Sequence, residues 1–206
     1  MDIEEFLIPP SSNNNDDLYT QIIKNNLRNR VLVINEEISD CVVENYILHI
    51  FEWNRQDKDL PVKSRKPITI YMNSVGGNSF DGFALVDAIL MSKTPVIGVG
   101  LGLTASMGYH IYLACHKRYA FINSVFLQHD GEIAVQNSTS KARDTMAFFE
   151  DMENRTKEYV LERTTMSEEF YDKVYDQEYW FYADEGKDLG VVHSIIGVDC
   201  TLDKIL

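Results

Sequence analysis

The chain has 206 residues, 45% hydrophobic and 25% charged, which is enough to bury one core as a single domain. Its formal net charge of −13 excludes a broad nucleic-acid surface, because such a surface needs a basic field to displace counterions. The three cysteines, Cys41, Cys115 and Cys200, form no C-x-x-C pair, so neither a disulfide framework nor a redox motif is expected. Met1 to Asn15 has no basic start and no apolar stretch of signal-peptide type, and no apolar run approaches a membrane span. The expectation is a cytoplasmic protein with no membrane and no nucleic-acid partner.

Residues 1–17 are polar and turn-rich around Pro9-Pro10-Ser11-Ser12 and read as a tail. A helix follows over 18–29, capped by Asp16 or Asp17, and then a short buried-type strand over 30–34. Ser39 is placed to cap a helix whose Val42, Val43, Tyr46, Ile47, Ile50 and Phe51 share one face. A charged loop over 54–67 leads to a strand over 68–72, a tight turn at Gly76-Gly77 and a helix over 79–92. A strand over 95–99 precedes a glycine-rich turn and a helix starting near Ser106. Strands over 118–122 and 125–128 come next, then a polar segment and a long helix to about Arg163. Ser167 caps a short helix; a last helix over 183–189 and a strand over 191–196 close the chain. Alternating strands and helices give an α/β fold with a largely parallel sheet, and residues 18–206 form one domain.

Two strand-to-helix turns can carry chemistry. In Gly100-Leu101-Gly102-Leu103-Thr104-Ala105-Ser106-Met107-Gly108, Ser106 opens a helix, where backbone N–H groups lack intrahelical partners. An oxyanion forming beside Ser106 would meet the N–H of Met107. Glycines at 76 and 77 let a second backbone approach and aim another N–H at the same place. A serine at a helix start ordinarily serves as an N-cap, so local chemistry alone does not decide. The Gly100, Gly102, Ala105 pattern also fits a dinucleotide fingerprint, but the next strand ends in Ile122-Asn123 without the acid that fingerprint requires.

Ser106 needs a base, and the histidines are His49, His110, His116, His129 and His193. His110 stands one helical turn after Ser106 and could approach it. His129 ends a strand just before a polar loop, where a rigid element holds a group open to substrate, and is preferred. No metal-ligand spacing is present, and neither metal nor cofactor is expected.

These residues resemble the ClpP family, the proteolytic subunit of Clp protease. Asn73-Ser74-Val75-Gly76-Gly77 resembles its N-S-P-G-G turn, and Ala105-Ser106-Met107-Gly108 matches its A-S-M-G nucleophile motif. Asn123-Ser124 with His129, and Ala183-Asp184-Glu185 through Gly190-Val191-Val192, are similar to two further segments. The resemblance covers residues from about 18 to 196. It implies a ClpP/crotonase-like spiral of strand and helix turns with a protruding handle helix, here within 133–163, and makes residues 1–17 an axial gate loop.

It also implies Ser106 as nucleophile, His129 as general base, Gly77 and Met107 as oxyanion hole, and Glu178 as the triad acid, with Asp176 as the alternative. The expected activity is that of a serine endopeptidase cleaving unfolded proteins or short peptides inside heptameric rings. Those rings would stack as a tetradecamer fed by a Clp ATPase. Val75, Asp130-Gly131 and Asp176-Gln177 depart from the family pattern, and the last change bears on contacts between rings. The competing readings are an impaired structural ring subunit and a crotonase-class acyl-CoA enzyme, which would need no Ser–His pair.

Overall fold

The computed structural model describes residues 17–205. The tail expected over 1–17 therefore lies outside the described residues except for Asp17. That residue caps α1 (Leu18–Arg28) by accepting the Thr20 N–H at 2.8 Å.

Seven strands form one sheet in the order β1 (Val31–Ile34), β2 (Ile68–Ser74), β3 (Val96–Ala105), β4 (Lys117–Phe121) and β7 (Ser194–Ile196), all parallel. The sheet forks at β3. Its first half pairs with β4 and its second half with β5 (Val125–Gln128), also in parallel. β6 (Tyr179–Tyr182) then adds antiparallel to β5, from Val125↔Tyr182 to Gln128↔Tyr179. The sheet is therefore mixed.

A π-helical turn (Val43–Ile47) leads into α2 (Leu48–Gln56), followed by α3 (Ser79–Leu90), α4 (Met107–Ala114), α5 (Thr139–Arg163), α6 (Glu168–Val174) and α7 (Ala183–Asp188). One core cluster joins Ile34, Ile50, Ile70, Leu85, Ile89 and Ile111; a second joins Tyr109, Tyr112, Phe126, Val160, Phe181 and Ile195. α4 contributes to both clusters, and every residue of it except His110 is buried. A helix apolar on all sides is held on all sides, so the residue that opens it has a fixed place.

Several expectations change. β3 runs through the glycines expected to form a turn. None of Gly98, Gly100 and Gly102 has positive φ; instead they admit neighbours, Gly98 the Cys115 and Tyr112 side chains and Gly100 the Phe126 ring. Ser39 does not cap α2: its hydroxyl lies 3.2 Å from Cys41 Sγ. The π-helical turn rotates the apolar face, so Phe51 is exposed while Trp53 is buried. The charged loop is tied down by Arg30, whose guanidinium pairs with the buried Asp57 at 2.6 and 2.9 Å. The last strand is shorter than expected because the Val191 and Val192 N–H groups both turn to the Gly186 carbonyl.

Candidate active site

β3 delivers Ser106 and α4 leaves from it. Ser106 has φ 53° and ψ −124°, one of two non-glycine residues with positive φ among those described. It occupies the N-cap position yet makes no capping hydrogen bond, so the ordinary role of a serine at a helix start does not apply. Its main chain is locked instead. The Ser106 N–H donates to the Leu127 carbonyl of β5 at 3.0 Å, and its carbonyl accepts from Tyr109 and His110. A side chain in this backbone region costs about 1–3 kcal/mol and persists only where the surroundings impose it.

Gly76 and Gly77 supply that enclosure from the end of β2. Both have positive φ, 101° and 145°. A Cβ on Gly76 would stand 2.6 Å from Ser106 Cβ and 3.0 Å from the Met107 nitrogen; one on Gly77 would stand 2.3 Å from the Ile38 carbonyl oxygen. The backbone of Ile38 brackets Gly77, donating to the Gly76 carbonyl and accepting from the Asn78 N–H, each at 2.8 Å. The N–H groups of Gly77 and Met107 have no acceptor among the described residues. Asn78 caps α3 by accepting from Phe80 and Asp81.

Ser106, Met107, His110 and His129 line one cavity, walled on the far side by α5 through Phe149, Met152, Glu153 and Thr156. Gly77 lines an adjoining depression that shares Ser79, Ile133 and Phe149 with it. His129 follows directly on β5, and its Nε2 is buried with no hydrogen-bond partner among the described residues. His110 also has a buried, unpartnered Nδ1 and packs among Phe83, Tyr109 and Tyr159. Burial, with a smaller contribution from the neighbouring His129 charge, pushes His110 down to about 4. It is therefore neutral at pH 7.

Glu178 stands outside the cavity lining, exposed, its carboxylate accepting the Trp180 indole N–H at 3.2 Å. The antiparallel pairing of β5 and β6 ends at Gln128↔Tyr179, the residues next to His129 and Glu178, and beyond it the Asp130 N–H turns to the Tyr175 carbonyl at 3.1 Å. Asp176 is exposed and falls beyond that register. The remaining histidines are taken up locally. His116 and His193 accept the Val96 and Arg118 N–H groups through Nδ1, and His49 stacks on Trp53.

Sequence reasoning missed β6 and the α5 wall of the cavity. The α5 residues stand at 149, 152, 153 and 156, the spacing of one helical face, so the face was legible, although not what it covers. Among the described residues no cluster of His, Cys, Asp and Glu could hold a metal ion, and no helix is long and apolar enough to cross a membrane.

A family model for Clp protease matches residues 13–199. The chain is 29% identical over 164 residues to the ATP-dependent Clp protease proteolytic subunit 2 of Treponema denticola, covering 79% of this chain and 77% of that protein. It is 25% identical over 182 residues to the corresponding subunit 1 of Bacillus cereus, covering 87% and 89%. A mutant ClpP1 structure from Listeria monocytogenes superposes with a TM-score of 0.72 at 27% identity, covering 90% of this chain and 99% of that one.

Proposed function

The chain belongs to the Clp protease family, and from that premise we propose that it is a working serine endopeptidase. The observation that carries the reading is Ser106: a non-glycine residue in a strained conformation, free of the capping role, beside His129 in one cavity. Ser106 Oγ attacks the scissile carbonyl while His129 Nε2 takes its proton, and His129 later returns that proton to the leaving amine. The N–H groups of Gly77 and Met107 receive the oxyanion, and neither has an internal acceptor to give up among the described residues. Glu178 orients His129 from across the β5–β6 pair, which requires its carboxylate to leave Trp180. The peptidase domain spans 18–206.

The substrates are unfolded proteins and short peptides, and the enzyme works as a homo-oligomer of heptameric rings, stacked as a tetradecamer and served by a Clp ATPase. The family relationship supports this, as does α5. Over its 25 residues only Val160 is buried, while Met146 and Phe148 are exposed and Phe148 stacks on the exposed Phe80 at 6.2 Å. Such an apolar face favours covering by other copies.

A second reading, an impaired structural ring subunit, draws on the Glu178–Trp180 hydrogen bond. One experiment separates the two. The purified protein is treated with a fluorophosphonate probe and assayed on fluorogenic peptides beside its Ser106→Ala variant. Labelling and hydrolysis that both vanish in the variant are expected, and a wild type inert to both would leave the structural reading.

A further inference from the structure

The cavity beside Ser106 has a composition that bears on what it accepts. Its apolar lining comes from Phe83, Met107, Ile133, Phe149 and Met152, and its polar groups include Glu153, Tyr171 and Tyr175. Asp130 and Glu132 add negative charge at its exposed edge, and no lysine or arginine lines it. The basic side chains near this part of α5 are engaged elsewhere: Lys157 with Glu168 and Asp172, and Arg155 with Asp151. Glu153 has no ion pair among the described residues.

Two further polar atoms of the lining are buried: His110 Nδ1, without a hydrogen-bond partner among the described residues, and Tyr175 Oη, beside Glu153. The phenol of Tyr175 is held well above its ordinary range, first by burial and then by Glu153, through its charge and through a side-chain hydrogen bond to it. Against Asp130, Glu132 and Glu153, the only basic groups of the lining among the described residues are the imidazoles of His110, which is neutral at pH 7, and His129.

We propose that this cavity receives the side chain on the acyl side of the scissile bond and that Glu153 makes it select lysine or arginine there. The inference rests on the peptidase reading of Ser106 and adds the substrate class. A lysine or arginine side chain is an apolar stem with a charged head. Phe149 and Met152 fit the stem; Glu153, one residue on along the same helical face, fits the head. An ammonium or guanidinium there also gives the Tyr175 hydroxyl oxygen a donor, while that hydroxyl faces Glu153. A carboxylate without a cation in a half-buried site discriminates strongly, because an apolar competitor displaces its water without replacing the hydrogen bonds.

The test compares two peptides differing only at that position, lysine against norleucine, which keeps the stem and lacks the amine. Wild-type kcat/KM is expected to favour lysine by roughly ten- to hundredfold, the range that a hydrogen bond to a charged group is worth. The ratio should fall to near one in Glu153→Gln, and Glu153→Lys should favour a glutamate peptide over the lysine one. Hydrolysis of both peptides with a wild-type ratio near one overturns the pocket assignment and leaves the peptidase reading standing. A high ratio unmoved by both Glu153 substitutions overturns the role of Glu153. If neither peptide is cleaved, the peptidase reading fails, and the pocket is judged by fluorescence anisotropy of the two peptides on Ser106→Ala protein. Tighter lysine binding, lost with Glu153→Gln, supports the pocket, and equal binding overturns it.

Discussion

Replacing Ser106 by glycine and by alanine separates the strain of the elbow from the chemistry of its hydroxyl. With φ 53° and ψ −124°, Ser106 sits where a Cβ is unfavourable by about 1–3 kcal/mol. Alanine keeps that Cβ and therefore the strain, whereas glycine removes it. Glycine in turn gives the unfolded chain more freedom, which costs about 0.5–1 kcal/mol. The removed Cβ leaves little void, because Gly76 already approaches that atom closely. The difference leaves Ser106→Gly more stable than Ser106→Ala by about 1 kcal/mol and at most about 2.5 kcal/mol, or roughly 2–10 °C in melting temperature for a domain of this length. The assay is urea and thermal unfolding of both variants at one protein concentration, since assembly makes the melting temperature concentration-dependent. Both variants should be inactive. An alanine variant as stable as the glycine variant would refute the claim that the fold holds this residue under strain.

His129→Ala should remove peptidase activity about as completely as Ser106→Ala, because members of such a unit do not contribute additively; steady-state hydrolysis with matched probe labelling checks it. Glu178→Gln should lower kcat by roughly two to four orders of magnitude, with Asp176→Asn changing it less than about twofold. Trp180→Phe, which deletes the N–H that holds Glu178, should leave kcat equal or higher in the same assay. His110 sits near 4 in the fold against 6.5 for an unperturbed imidazole, so between those values the unfolded chain binds the extra proton. The stability that His110 contributes is thus complete above about pH 6.5 and is lost as pH falls toward 4, on the order of 3 kcal/mol across the window. His110→Phe, matched to its aromatic neighbours, should flatten that part of a denaturation profile measured from pH 7.5 to 4.5.

The parts of the site that sequence made legible are those whose residue type answers to one backbone demand. Gly76 and Gly77 adopt positive φ, which few other residues tolerate, and Ser167 caps its helix by accepting from Phe170 at 3.1 Å. The glycines of β3 misled for a related reason. A glycine serves a turn or a close approach equally well, and here Gly98 and Gly100 serve the latter against α4 and β5. β6 escaped because Tyr179, Trp180, Phe181 and Tyr182 are all aromatic, so the alternation that marks a strand is hidden. Only burial separates Phe181, at 2% exposure, from Tyr182 at 58%. Glu178 directly precedes that strand, and His129 directly follows the β5 strand with which it pairs. The residues around Ser106 therefore come from the ends of β3 and β5 and from α3, α4, α5 and α6, and no local window of sequence contains them all. Ordered spacing among short motifs could name the participants, whereas the cavity wall on α5 depends on where a helix thirty or more residues beyond Ser106 returns to pack. The selection of Glu153 belongs to that return, which is why the residue that would choose the substrate had no signature beside those that would cleave it.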